Sequence, residues 1–123
     1  MAKITVLVVD DQADIRLLVR TLINVANKGL VVEHEASSGE EALAYLDGCD
    51  ATVVVLDQMM PGMTGLETAR AMLDRRPNQR ILLFSAYLDD ELTREAKDVG
   101  ILACLDKTDV TRVATAVRAV AAA

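Results

Sequence analysis

One stretch of the sequence decides the fold: Val53-Val54-Val55-Leu56-Asp57-Gln58-Met59-Met60-Pro61-Gly62, an apolar run that ends in a carboxylate and a loop. Similar apolar runs occupy residues 4–9, 30–32, 81–84 and 102–105. They show little alternation between apolar and polar residues, which is typical of parallel strands covered on both faces. The run at residues 30–32 continues into polar residues, so we expect it to form an edge strand.

Helical patterns separate these runs. Ile15, Leu18, Val19, Leu22 and Ala26 recur at the spacing of one helical face. Comparable apolar faces begin near residues 66, 92 and 110. Five repeats of a strand followed by a helix therefore predict one α/β domain over residues 1–123. Right-handed crossovers then require a doubly wound parallel sheet with helices on both faces.

Residues that begin and end helices support this pattern. Ser38-x-x-Glu41 and Thr64-x-x-Glu67 are predicted capping boxes, in which side chains bind the free amides at a helix start. Three of the helical patterns are followed by a glycine, which suits a left-handed C-terminal turn. These residues are Gly29, Gly48 and Gly100.

The composition argues against several classes of function. A net charge of −6 disfavours a sequence-independent nucleic-acid binder, which needs a basic face. No apolar run approaches the roughly 20 residues of a membrane span, and the N-terminus shows no signal peptide. Cys49 and Cys104 make neither a disulfide framework nor a zinc site. We therefore expect a cytoplasmic protein with reduced thiols.

Polar residues end four of the predicted strands, at the edge where such sheets bind ligands. Asp10-Asp11 follows the first strand, Asp57 the third, Ser85 the fourth and Lys107 the fifth. Two carboxylates about 5 Å apart repel each other by roughly 3 kcal/mol at an effective dielectric constant near 20. The carboxylates therefore need cations, which Lys107 and a hard divalent ion such as Mg²⁺ would supply.

This set of groups suits phosphoryl transfer. The metal and the ammonium group of Lys107 would neutralise phosphoryl oxygens, while Asp57 attacks and forms an acyl phosphate. Taken singly, each residue is most often a loop residue, a helix cap or a surface side chain. Their joint occurrence at four strand ends favours a site.

The same residues resemble the receiver domain of two-component response regulators, and the resemblance covers essentially the whole chain. It is carried by residues 6–11, the D-x-x-M-P-G-x-x-G segment at 57–65, Ser85-Ala86 and Lys107. The resemblance implies a five-stranded parallel sheet in the order 2-1-3-4-5. It also implies a phosphoacceptor domain for signalling that is not an enzyme.

The resemblance implies a role for each site residue. Asp57 would accept a phosphoryl group from a phosphohistidine of a sensor histidine kinase or a phosphotransfer protein. Lys107 would contact Asp57 and then the phosphoryl group, and Ser85 would hydrogen-bond a phosphoryl oxygen. The ligands of Mg²⁺ would be three carboxylates and one backbone carbonyl: Asp10, Asp11, Asp57 and Met59.

Phosphorylation would act as a switch. Charge-assisted bonds from Ser85 and Lys107 to phosphorylated Asp57 would move the loops that follow the fourth and fifth strands. The fourth helix, predicted near residues 89–99, and the fifth helix would then shift between two populations. The face formed by these helices and the fifth strand would bind a downstream protein, an output domain or a second copy. Both a stand-alone receiver and a piece of a longer regulator fit this length.

Two positions depart from the family pattern. Cys104 lies three residues before Lys107, where receivers usually have an aromatic ring that rotates in the switch, and Tyr87 is the candidate to replace that ring. Thr108 follows Lys107, where the family often has proline after a cis bond. A cis bond before a non-proline residue costs roughly 3 kcal/mol, so we expect either a trans bond or a cis bond whose strain is compensated locally.

Two other functions stay open at this point. A metal-dependent phosphatase-like hydrolase would also use Asp57 as nucleophile, but Met59 stands where such enzymes carry a second acid and cannot donate a proton. A receiver-like scaffold that is never phosphorylated is the other, although the complete set of site residues argues against it. A dinucleotide site is disfavoured, because Val9-Asp10-Asp11 replaces the glycine-rich turn it needs.

Overall fold

The computed structural model describes residues 3–26 and 28–123, which form five strands, five α-helices and one 3-10 helix. The prediction about a signal peptide rests partly on residues 1–2, which lie outside the described residues. The elements follow one another as β1 Ile4–Val9, α1 Ala13–Ala26, β2 Leu30–Ala36, α2 Gly39–Gly48, β3 Val53–Asp57, α3 Gly65–Arg75, β4 Arg80–Ser85, α4 Asp90–Val99, β5 Ala103–Asp106 and α5 Val113–Ala122. The 3-10 helix Lys107–Arg112 joins β5 to α5.

The five strands form one parallel sheet in the order β2-β1-β3-β4-β5 within the described ranges. This order and the helices on both faces confirm the predicted fold class. The register pairs Asp57 with Phe84 and Ser85 with Asp106. Because the strands are parallel and in step, their carboxyl ends meet at one edge of the sheet.

The sheet separates two aliphatic cores, since successive side chains of a strand point to opposite faces. Leu56 packs into the core beneath α2, α3 and α4, whereas its neighbour Val55 packs into the core beneath α1 and α5. Strand β3 is buried along its whole length, so both faces of its apolar sequence are covered. In the part of the chain that the structure describes, no helix has the length and apolar character required to cross a bilayer.

The edge strand β2 is longer than its apolar run and continues to Ala36. Its register with β1 shifts after Val6, so that Glu33 is an extra residue in a β-bulge. Beyond the bulge, the Glu35 carboxylate accepts hydrogen bonds from Arg16 at 3.2 Å and Arg20 at 2.6 Å. These bonds fasten the edge strand to α1.

The two predicted capping boxes have different outcomes. At α3, Thr64 Oγ1 accepts from the Glu67 amide at 3.2 Å and the Glu67 carboxylate accepts from the Thr64 amide at 3.0 Å. At α2, Ser38 accepts from the Glu41 amide, but the Glu41 carboxylate accepts from Ser37 at 2.8 Å instead of closing the box. The capping box predicted at Ser38 and Glu41 is therefore only half formed.

The glycine predictions are correct at two positions and wrong at one. Gly29 and Gly100 have φ angles of 85° and 112°, in the left-handed region that suits a chain leaving a helix. Gly48 is instead the last residue of α2, which ends through extended backbone at Cys49 with φ −137°. The helix ends without a left-handed turn, because the extended chain at Cys49 leads directly toward β3.

Candidate functional site

Asp10 and Asp11 follow β1 at the middle of the carboxyl edge but have different surroundings. Asp10 is 1% exposed, and one of its carboxylate oxygens accepts from the Gln12 amide at 2.9 Å. Its own amide donates to the Ala36 carbonyl at the end of β2 at 3.0 Å. Asp11 is exposed. The acidic pair thus offers one fixed carboxylate and one that faces solvent.

Asp57 ends the neighbouring strand and is also buried, with 3% of its surface exposed. Its Oδ1 accepts from the Met59 amide at 3.4 Å. Burial and the negative charge of Asp10 raise the pKa of the Asp57 carboxyl, although Lys107 opposes them. One lysine therefore does not compensate for two buried carboxylates.

Lys107, directly after β5, contacts both buried carboxylates. Its Nζ lies 2.8 Å from Asp10 Oδ2, 3.2 Å from Asp57 Oδ1 and 5.7 Å from the centre of the Phe84 ring. Burial lowers the pKa of Lys107, but hydrogen bonds and charge from Asp10 and Asp57 outweigh burial and raise the pKa above its usual value. The ammonium group is therefore held charged between the two acids.

The start of the 3-10 helix positions Lys107. The Asp106 carboxylate accepts from the Thr108 amide at 2.9 Å and from the Thr108 hydroxyl at 2.8 Å, which closes a tight turn around the lysine. The peptide bond between Lys107 and Thr108 is trans, the first of the two expected forms. A turn closed by Asp106 thus holds Lys107 without a proline at position 108.

The three carboxylates form a group that fits a hard cation. Asp10, Asp11 and Asp57 each offer an oxygen, and these oxygens lie within 4.8 Å of one another. Carboxylate oxygens, with room for water beside the exposed Asp11, are the ligands that Mg²⁺ prefers. Met59 belongs to the same loop, with its amide turned to Asp57 and its side chain 60% exposed.

Ser85 lies at the same edge, at the end of β4, and is fully buried. Its hydroxyl oxygen accepts from the Tyr87 amide at 3.2 Å, so the hydroxyl is engaged with its own loop. The Tyr87 side chain is 75% exposed. Cys104 packs as a small half-buried residue against the core beneath α4, and burial raises the pKa of its thiol.

Sequence reasoning missed two residues that support the site. Arg16 donates a hydrogen bond from its guanidinium group to the Asp10 carbonyl, in addition to its bond with Glu35. Gln58, directly after Asp57, accepts from the Leu66 amide at 2.9 Å. The spacing of Arg16 and Arg20 by one helical turn could have indicated a shared acidic partner.

Comparisons with known proteins agree with this geometry. The family model "Response regulator receiver domain" matches residues 6–118. Transcriptional activator protein ExaE of Pseudomonas putida is 39% identical over 102 residues, which are 83% of this chain and 47% of that protein. Sporulation initiation phosphotransferase F of Bacillus subtilis is 34% identical over 97 residues, or 79% of this chain and 76% of that protein.

The fold of the chain is also similar to that of a solved receiver domain. The signal receiver domain of the response regulator NarL from Mycobacterium tuberculosis superimposes with a TM-score of 0.91 at 29% sequence identity, over 99% of this chain and 98% of that chain. The chain spans 47% and 40% of the first two curated relatives that it matches.

These matches define the class of protein: the chain belongs to the response regulator receiver domain family, as its sequence predicted. Membership in this family implies signalling by phosphorylation within two-component systems.

Proposed function

We propose that the chain is a phosphorylation-activated switch and that Asp57 accepts a phosphoryl group from the phosphohistidine of a sensor histidine kinase or a phosphotransfer protein. The observation that carries this proposal is the convergence of two buried carboxylates on one ammonium group, with Lys107 Nζ 2.8 Å from Asp10 and 3.2 Å from Asp57. Such a buried and incompletely neutralised acid suits a nucleophile that works beside a cation.

In the proposed transfer, an Asp57 oxygen forms a bond to phosphorus while the bond from phosphorus to the donor imidazole nitrogen breaks. The electron pair of the broken bond returns to that imidazole. Lys107 is placed to follow the growing negative charge, since it already contacts the attacking carboxylate. The chain itself is the acceptor in this reaction and not an enzyme with turnover.

The residues that would hold Mg²⁺ are the Asp10, Asp11 and Asp57 carboxylates and the Met59 carbonyl. The clustering of the three carboxylate oxygens within 4.8 Å supports this assignment. A bound Mg²⁺ would supply positive charge to the phosphoryl oxygens. Arg16 supports the arrangement by donating to the backbone carbonyl of Asp10 and not to its carboxylate, which Lys107 contacts.

Signalling would begin at Ser85. A phosphoryl group on Asp57 offers strong acceptor oxygens, and the Ser85 hydroxyl can donate to one of them. Ser85 now accepts from the Tyr87 amide at 3.2 Å, so a shift of the serine would pull the loop before α4. The signal would leave through the face of α4, β5 and α5, beside which Tyr87 and Leu102 are exposed.

This face would bind a downstream protein, an output domain outside this chain or a second phosphorylated copy. The lengths of the relatives fit both a regulator with further segments and a stand-alone receiver, since the chain covers 47% of ExaE and 76% of sporulation initiation phosphotransferase F. We propose the cytoplasm as the compartment, where a kinase would meet the acceptor.

The test is phosphorylation by a small donor. Wild-type protein incubated with Mg²⁺ and acetyl phosphate or phosphoramidate is expected to gain the mass of one phosphoryl group in an intact-protein measurement. Asp57→Asn should gain none. Asp47→Asn, which alters an exposed acid paired with Arg75, should behave as wild type. An adduct that survives Asp57→Asn, or no adduct on the wild type, contradicts the proposal.

A further inference from the structure

We propose that Gln58 is a positioning residue of the candidate site, whose side chain fastens the loop after Asp57 to the first turn of α3 and so fixes the backbone of Met59. The inference rests on the proposed function, because the Met59 backbone matters for Mg²⁺ and phosphoryl binding at Asp57.

The first argument is an account of the free amides at the start of α3. A helix leaves its first amides without partners inside the helix. The Gly65 amide donates to the Gln58 carbonyl at 3.0 Å, and the Leu66 amide donates to Gln58 Oε1 at 2.9 Å. The Glu67 amide donates to Thr64 Oγ1 at 3.2 Å. Gln58 thus satisfies two successive amides, one with its main chain and one with its side chain.

The second argument is the closeness of α3 to the phosphoacceptor strand. A Cβ atom at Gly65 would lie 2.4 Å from the Asp57 carbonyl oxygen and 2.8 Å from Gln58 Cα, so only glycine allows this approach. The first residue of α3 therefore packs directly on the backbone that carries Asp57. A change in the tilt of this helix end would reach Asp57 without any intervening residue.

The third argument is the closure of the loop. Residues 58–65 leave β3 and return to Gln58, whose two hydrogen bonds hold both ends of the loop together. Met59 lies within this closed loop and donates its amide to Asp57 at 3.4 Å. Met60, next along, is buried in the core and anchors the loop from inside. The Gln58 side chain therefore limits how far Met59 can move relative to Asp57.

Thr64 provides a matched control, because it caps the same helix end. Its hydroxyl accepts from the Glu67 amide, one residue beyond the amide that Gln58 accepts. The Thr64 bond stays within the capping box and does not touch the residue after Asp57. Gln58→Met and Thr64→Val each remove one cap acceptor while keeping the size of the side chain.

Both variants are expected to lower the melting temperature of the metal-free protein by about 4 °C, the loss of one helix cap. Only Gln58→Met should speed the hydrogen exchange of the Met59 amide in the metal-free protein, since only this variant removes the bond from the Leu66 amide that closes the loop. A titration followed by nuclear magnetic resonance should then show the Mg²⁺ dissociation constant raised about tenfold in Gln58→Met and by no more than about twofold in Thr64→Val.

A second variant keeps the test decisive. Gln58→Glu retains an acceptor oxygen at the same reach and is expected to restore the slow hydrogen exchange of the Met59 amide in the metal-free protein. If Gln58→Met does not fold, Gln58→Asn, which is one methylene too short, replaces it.

Equal Mg²⁺ affinities and equal Met59 amide exchange rates in the two cap variants would overturn the inference and make Gln58 an ordinary helix cap. A wild-type protein that binds no Mg²⁺ would instead overturn the proposed function. In that case the hydrogen exchange of the Met59 amide in the metal-free protein still decides for or against Gln58.

Discussion

Ion pairs of similar length lie at both ends of the strands, which we call the carboxyl edge and the amino edge of the sheet. One pair is buried and the other is exposed. At the carboxyl edge, Lys107 lies 2.8 Å from Asp10, and the exposed fractions of the two side chains are 14% and 2%. At the amino edge, where α2 and α3 end, Arg75 lies 3.1 Å from Asp47, with exposed fractions of 53% and 66%. The comparison teaches that burial, and not the distance between the charges, decides what such a pair does.

Burial changes the energy in a predictable direction. Exposed pairs contribute about 0–1 kcal/mol, since water screens the attraction and solvates either charge alone. Buried charges lose their water and need a partner, so the loss of one partner is costly. The amino edge instead joins β1 and β3 by neutral bonds, in which Thr5 and Thr52 each donate an amide to the other's hydroxyl at 3.1 and 3.0 Å.

The largest expected effect comes from removing the buried cation. Lys107→Met leaves Asp10 and Asp57 without their counter-charge and should lower the free energy of unfolding by about 4 kcal/mol. Arg75→Met, at the exposed edge, should lower it by less than about 1 kcal/mol. Urea unfolding at neutral pH in a chelator measures both. Equal losses for the two variants would remove the contrast between the edges.

The next largest effect on the free energy of unfolding is expected from replacing a glycine at the carboxyl edge, and a glycine at the amino edge provides the comparison. Gly65→Ala would place a Cβ atom 2.4 Å from the Asp57 carbonyl oxygen and should lower the free energy of unfolding by about 3 kcal/mol. Gly48→Ala meets open space at the end of α2 and should raise it by about 0.5 kcal/mol. Chemical denaturation compares the variants. An unchanged free energy of unfolding in Gly65→Ala would mean that α3 can move away from Asp57.

Mg²⁺ should stabilise the protein through the carboxyl edge alone. At a concentration 100-fold above its dissociation constant, a ligand that binds only the folded state adds about 2.7 kcal/mol to the free energy of unfolding. Asp11→Asn should weaken this effect, whereas Asp47→Asn at the other edge should leave it intact. Thermal melts with Mg²⁺ and with chelator provide the readout. Stabilisation that survives Asp11→Asn would place the ion elsewhere.

The smallest expected effect is a gain from removing a buried charge. Burial and Asp10 raise the pKa of Asp57, so Asp57→Asn should stabilise the metal-free protein by on the order of 1 kcal/mol at neutral pH.

The raised pKa also sets how that gain depends on pH. The folded protein keeps the Asp57 proton at a pH where the unfolded chain has lost it, so the stability of the wild type falls as pH rises through the window between the ordinary and the raised pKa. Unfolding at several pH values in chelator should show the gain of Asp57→Asn vanishing as pH falls below that window. A gain that grows at low pH contradicts the assignment.

The sequence predicted what depends on pattern and order along the chain. Sequence alone could place Asp10, Asp57 and Lys107 at one edge of the sheet. Each of these residues follows an apolar run, and parallel strands end at the same edge. Their mutual contacts depend on the turn that Asp106 closes and could not be read from spacing. The bond from Lys107 to Asp10, at 2.8 Å shorter than that to Asp57, emerged only in three dimensions.

Predictions failed where tertiary contacts choose between equivalent patterns. The helical pattern put Leu18 on the same apolar face as Val19, yet Leu18 is 40% exposed, and Ile23, outside that pattern, is fully buried. Both residues border the apolar stripe of α1, and the position of the sheet decides which one it covers. By contrast, the polar continuation of β2 agrees with the predicted edge strand, in which His34 pairs with Leu7.

The bulge at Glu33 has a consequence for how the protein behaves among its neighbours. An open sheet edge offers unpaired backbone groups to any other strand, and long regular edges promote aggregation. On one side, β2 is kinked by the bulge and carries an exposed Glu33, and on the other, β5 has only four residues. In a crowded cell the two edge strands, β2 and β5, are therefore poor templates for the addition of a strand from another molecule.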